Sequence, residues 1–173
     1  METLRSPSSN LTLKIITFAL GTQIYACPPN STLPPVPNGA NATLTDATLL
    51  LNSSIFNTIP KMLLSNPSTS LQKLYGPEIG NQSFDASLTS TIYFSDSRTF
   101  RGRVFDTARA PSNYSFGYDA IDWVALTTTV ANATLKEVYC VQTAGGKSPP
   151  QCDGSSSEVL NVVPFAAQYW FYG

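Results

Sequence analysis

Proline, glycine and asparagine cut this chain into short runs rich in β-branched and aromatic residues, and hardly any run carries a helical repeat. Many short β-like runs between turn signals predict an all-β fold, an antiparallel sandwich or barrel with at most one or two short helices. Gly21 and Thr22 punctuate TLKIITFAL and TQIYACP, and a proline-rich loop spans residues 28–39, PPNSTLPPVPNG. ATLTDATLLL (42–51) follows, and then SIFNTIPKMLL (54–64), whose apolar spacing suits a short helix although Pro60 opposes one. Residues 89–94 (TSTIYF) and 100–105 (FRGRVF) read as a strand pair around SDSR, and 107–118 as a polar loop.

The clearest strands are Ile121–Val130, Leu135–Gln142 and Val159–Tyr172. In the second, Leu135, Glu137, Tyr139 and Val141 alternate with Lys136, Val138, Cys140 and Gln142, and neither set is cleanly polar. That pattern predicts burial on both faces or a barrel wall. Neither an internal repeat nor a dividing linker is visible, so residues 1–173 are expected to form a single β-rich domain containing the 28–39 loop.

Charge narrows the partners. Only 12% of residues are charged and the net charge is −1, against about 25% charged residues in ordinary soluble domains. Lys and Arg are scattered, so nucleic acid finds no basic stripe and an anionic membrane no basic run. No apolar stretch reaches the ~18 residues of a membrane-spanning helix.

The sequons point outside the cell. Asn-x-Ser/Thr occurs at Asn10, Asn30, Asn41, Asn52, Asn81, Asn113 and Asn132. With 11 Asn and 39 Ser or Thr in 173 residues, chance gives roughly two to three such acceptor motifs. N-glycans are bulky and need surface sites, so the expectation is an extracellular glycoprotein. LTLKIITFAL (11–20) imitates the apolar core of a signal peptide, but Lys14 and Thr17 break it and its alternation suits a strand equally well. A native leader is therefore expected to have been removed or replaced at Met1.

The chain contains no histidine. Ser-His-Asp and Cys-His catalysis are excluded in their usual forms, as are histidine-based zinc and copper sites. Three cysteines without CxxC spacing make a poor zinc site. Neither a cofactor nor a metal is expected. Asp119 and Asp122, Asp153 beside Gly154, and Asp85, Asp96, Asp106 and Glu137 leave carboxylate chemistry open. A glycosidase, however, needs two carboxylates facing one cleft.

Aromatic residues are the better candidates for ligand contact. Tyr169, Trp170, Phe171 and Tyr172 are consecutive, so alternate rings face opposite sides of a strand. Tyr93, Asp122, Trp123, Tyr139 and Trp170 form the candidate ligand-binding set, suited to stacking on sugar rings. In YCVQTAGGKSPPQCDG (139–154), the glycine pair Gly145–Gly146 reads as a turn after a strand. Pro149 and Pro150 forbid the helix that a phosphate loop would require.

The ordered motifs GTQIYAC (21–27), IYF (92–94), VFD (104–106), DWVAL (122–126), LKEVYCVQTAGGKSPPQC (135–152) and VPFAAQYWFYG (163–173) span nearly the whole chain. Together they resemble the family of fungal and bacterial secreted proteins known as domain of unknown function 3455. The resemblance implies an extracellular β-rich domain whose activity is not established. Fungal members often carry the label malate dehydrogenase. Here that label fails, because no Gly-rich turn opens a helix and no histidine can accept the proton. Thr91 and Ile92 stand where fungal relatives typically carry a histidine pair, so a function built on that pair does not carry over. Relatives typically keep the first and last of the cysteines, which implies a Cys27–Cys152 disulfide with Cys140 buried and reduced; Cys140–Cys152 is the alternative.

The expected function is non-catalytic binding of wall polysaccharide or another surface ligand outside the cell. An Asp-dependent enzyme acting on glycans is one alternative, and a structural protein that self-associates through β-edges is another.

Overall fold

The computed structural model describes residues 3–66, 76–85, 87, 89–111 and 120–173. Eight antiparallel strands follow one another around a closed barrel. They are β1 (Leu13–Cys27), β2 (Val36–Asp46), β3 (Glu78–Asp85), β4 (Thr89–Phe94), β5 (Thr99–Ala108), β6 (Trp123–Thr128), β7 (Glu137–Gly145) and β8 (Val159–Tyr172). β8 closes the ring by pairing along almost the whole of β1, from Leu13↔Tyr172 to Cys27↔Val159. Closure gives every strand a neighbour on both sides, although Val159–Pro164 of β8 run beyond β7 and pair with β1 alone. The sandwich-or-barrel alternative is thereby resolved.

Two apolar clusters hold the fold. Inside the barrel, Ile15, Ala19, Leu44, Ile92, Phe94, Phe100 and Phe171 pack together. Outside it, Ile16, Phe18 and Ala166 on β1 and β8 are covered by Phe56, Ile59 and Leu63. These last residues belong to a 3-10 turn at Phe56–Thr58 and to α1 (Ile59–Ser65), the one α-helix among the described residues. Strand alternation sends Ile15 and Ala19 inward and Ile16 and Phe18 outward. Both faces of β1 are covered from Ile15 to Ala19, which is why this part of the stretch that imitates a signal peptide is mostly apolar. Pro60 falls in the first turn of α1, where its missing N–H costs no intrahelical bond.

Several boundaries differ from the sequence reading. β1 is one 15-residue strand, not two runs. Gly21 lies within it, and a Cβ there would collide with the Asn41 carbonyl; glycine allows β1 and β2 to approach and marks no turn. β2 begins at Val36 inside the proline-rich segment, which shortens the loop to residues 28–35. The 42–51 run leaves β2 at Asp46 and continues as a 3-10 turn at Thr48–Leu50. β3 has no counterpart in the sequence reading, because EIGNQSFD carries Asn, Gln and Ser where an apolar alternation would announce a strand. β4 and β5 pair as expected around 95–98. The 107–118 loop begins only after Ala108, and residues 112–119 lie outside those described.

Cys27, at the end of β1, is bonded to Cys152 in the β7–β8 connection, with their Cα atoms 5.7 Å apart. Cys140 is free and buried. The Cys27–Cys152 pairing holds, and the Cys140–Cys152 alternative does not.

Candidate functional site

An eight-stranded barrel is just wide enough for side chains to fill, or to hold one small ligand. This one is filled at one end only. Phe94, Phe100 and Phe171 occupy the half of the interior where β4 ends and β5 begins. The other half, where β1 leaves and β2 enters the barrel, is lined by the small groups Gly39, Ala40, Val104 and Val124 together with the rings of Tyr25, Phe84 and Tyr169. A cup of ≈ 290 Å³ remains there. A register shift between Val104 and Asp106 bends β5 beside it.

The cup has an apolar wall and a polar floor. The Tyr169 hydroxyl donates to Gln82 Oε1 at 2.8 Å, and Gln82 Nε2 donates to Ser90 Oγ at 3.0 Å. Gln82, Ser90 and Tyr169 are all buried. Satisfied networks of this kind fix side-chain positions in a low-dielectric interior. Cys140 also lines the cup, and burial pushes its thiol up to about 12, so it stays protonated. Burial likewise pushes the Tyr169 phenol well above its ordinary value, with the adjacent Cys140 adding to the shift.

The rim explains the glycine pair. Tyr25 reaches from β1 to donate a 2.6 Å hydrogen bond to the Gly146 carbonyl, and burial raises the pKa of its phenol. Gly145 and Gly146 adopt φ of 68° and 86°, and a Cβ on Gly146 would press into Phe165, Ile121 and Gln23. Glycine is therefore required for the rim to close around Tyr25. Asp122 also lines the cup and is exposed; among the described residues no Lys or Arg lines it.

The other sequence candidates lie elsewhere. Trp123, Tyr139 and Trp170 come together on the outside of the barrel, with Tyr172, in a groove of ≈ 320 Å³. The N-terminal residues Thr3–Pro7 form its opposite wall. This segment is tied down at two carboxylates: the Arg5 N–H donates to Asp106 Oδ2 at 2.8 Å, and the Ser8 hydroxyl donates to Glu137 Oε1. Tyr139 donates to the other oxygen of Glu137 and is only 6% exposed, packed edge-on against Tyr172 and Phe105. Burial and the Glu137 carboxylate both raise its pKa. The three rings line one groove, in which Tyr139 is almost wholly buried.

Tyr93 stands apart from both places. It projects from β4 at 59% exposure, over an outer groove shared with Asn41 and Asn81. The candidate set is therefore divided between the cup rim (Asp122), the aromatic groove (Trp123, Tyr139, Trp170) and the β2–β4 surface (Tyr93). Asn10, Asn30, Asn41, Asn52, Asn81 and Asn132 are all exposed, whereas Asn113 and Asp119 lie outside the described residues.

Sequence reasoning missed Gln82, Tyr25 and Tyr169. Gln82 sits in the unforeseen strand β3, and Tyr169 reads as ordinary core filling. The available signal was register: a glutamine in phase with Gly80 and Phe84, facing Ile92 on the next strand, must point inward.

The chain belongs to the family described as protein of unknown function (DUF3455), whose family model matches residues 7–173. No curated protein and no solved structure matches it.

Proposed function

We propose that the chain is a secreted, non-catalytic binding domain that holds a small, uncharged, mainly apolar molecule in the cup of its barrel. The observation that carries this reading is the half-filled interior: an apolar wall enclosing ≈ 290 Å³ above the Tyr169–Gln82–Ser90 network. A cavity of about 150 Å³ accommodates benzene, so this cup suits a compound of one or two rings. A few convergent polar groups in an apolar concavity are what fixes a ligand's orientation in such sites. The presence of Asp122, with no Lys or Arg among the described lining residues, disfavours an anion. A two-carboxylate mechanism would need a second acid facing Asp122, and Asp122 is the only carboxylate among the described lining residues.

The test is a thermal-shift panel of neutral one- and two-ring alcohols and ketones. At least one should raise Tm in the wild type and leave Val124→Trp, whose indole fills the cup, unaffected. Ala40→Phe serves the same purpose from the opposite wall. A panel that moves neither wild type nor variants contradicts the reading.

Wall-polysaccharide binding is the second reading, favoured by the meeting of Trp123, Tyr139 and Trp170 in one outer groove. It predicts depletion of the protein by insoluble chitin, β-glucan, cellulose or xylan, lost in Trp123→Ala or Trp170→Ala without unfolding. The low exposure of Tyr139 and the Thr3–Pro7 wall make it the weaker of the two.

A further inference from the structure

The outer surface of β2, β3 and β4 carries a second concavity, ≈ 360 Å³, lined by Leu20, Asn41, Thr43, Asn81, Ser83 and Tyr93 among others. Its composition is unusual in one respect. Asn41 and Thr43 are the first and third residues of one sequon, and Asn81 and Ser83 of another. Period-two alternation places both members of each pair on the same outward face. The register sets the sequons against each other, with Asn41 opposite Ser83 and Thr43 opposite Asn81. On the far side of β3, Asn81 is directly opposite Tyr93.

Residues directly opposite on one face of an antiparallel pair have Cβ atoms about 4.5–5.5 Å apart, close enough for their side chains to interact. Asn81 is exposed and Tyr93 is 59% exposed, the most exposed aromatic side chain among the described residues. A sugar attached at Asn81 Nδ2 would begin beside this ring. The apolar C–H face of a pyranose and the ring of a tyrosine are complementary, and the phenol's polar tip can remain in water.

We infer that this groove seats the chain's own N-glycan, with the first N-acetylglucosamine on Asn81 packed against Tyr93. The inference rests on the reading of the chain as a secreted glycoprotein. In the attachment step Asn81 Nδ2 bonds to the anomeric carbon of an oligosaccharide carried on a polyprenyl diphosphate. The bond from that carbon to the diphosphate oxygen breaks, the diphosphate leaves with the electron pair, and the amide gives up one proton. The sugar then covers a tyrosine that otherwise stands in solvent. Tyr93 is accordingly a positioning residue for the glycan and takes no part in binding an external ligand.

The experiment uses the full chain secreted from a eukaryotic host. Peptide mass spectrometry reads occupancy at each sequon, and Tm is measured for wild type, Asn81→Gln, Tyr93→Ser and the double variant. Asn81 is expected to be occupied. Asn81→Gln should lower Tm by roughly 2–4 °C in the Tyr93 background, the scale of a cross-strand contact in a chain of this size. It should lower it clearly less in the Tyr93→Ser background, and Tyr93→Phe, which keeps the ring, should retain the coupling. Occupancy with strictly additive Tm changes overturns the contact. An unoccupied Asn81 among occupied sequons overturns the inference and leaves the glycoprotein reading standing. No occupancy anywhere overturns both.

Discussion

The Tyr169 hydroxyl donates across the barrel interior to Gln82 Oε1, joining β8 to β3 at the floor of the cup. The two strands are not neighbours in the sheet, since β1 and β2 lie between them. This hydrogen bond therefore pins opposite walls at the depth where the packed half of the barrel gives way to the cup.

Tyr169→Phe keeps the ring and removes the donor, leaving a buried amide oxygen without that partner. Such a group costs about 1–3 kcal/mol. Urea unfolding should show a lower midpoint with an unchanged slope. An unchanged midpoint would mean that the bond contributes nothing to the fold.

Alkaline pH should destabilise the protein. Burial raises the Cys140 thiol from 9.0 to about 12 and raises the Tyr25, Tyr169 and Tyr172 phenols above 10.0. As pH rises past these ordinary values the unfolded chain loses protons that the native chain keeps, so stability falls until the native groups also ionise. These groups leave stability unchanged between neutral pH and about pH 9 and make it decline above that. The ultraviolet absorbance of tyrosinate should appear together with unfolding for the buried phenols. Native protein should also resist alkylation at Cys140 and become reactive only in denaturant.

The disulfide closes a 125-residue loop. In the chain-entropy account a loop of that length stabilises the fold by about 4–5 kcal/mol. Cys27→Ser with Cys152→Ser should lower the unfolding midpoint accordingly, while Cys140→Ala should leave the intact mass still showing one disulfide. A full-size effect from Cys140→Ala on disulfide content would contradict the pairing.

Leu63 on α1 is 1% exposed and seals the outer face of β1 and β8 with Phe56 and Ile59. Leu63→Ala should cost about 2–5 kcal/mol through lost burial and the cavity left behind. Chemical denaturation checks this. A loss well under 1 kcal/mol would mean that α1 is not part of the cooperative unit.

Much of the fold was legible because its strands obey local rules. β8 matched Val159–Tyr172 to the residue, and the mixed polarity of Leu135–Gln142 pointed to a wall covered on both faces. The covering itself was not legible: the N-terminal segment on Tyr139 and α1 on Phe18 are contacts between distant parts of the chain. Gly21 misled for a related reason. Its role is set by the backbone of β2, which no window around position 21 contains. The candidate site was read less well. Stacking suggested exposed rings, and Trp123, Tyr139 and Trp170 do meet, but on the outer face. The cup is made from what is missing, small residues opposite one another on strands far apart in sequence, and a linear pattern does not display a void. Gln82 could be placed there only once β3 was known to be a strand.

The central claim is that the barrel interior binds a small neutral molecule. The most direct measurement is a fluorescence titration of the neutral two-ring dye 6-propionyl-2-(dimethylamino)naphthalene into wild type, Val124→Trp and Trp170→Ala, each verified as folded by its melting transition. The account predicts saturable enhancement at one site per chain for wild type and Trp170→Ala, and its loss in Val124→Trp. Enhancement that survives in Val124→Trp but disappears in Trp170→Ala would place the ligand in the outer groove and contradict the account.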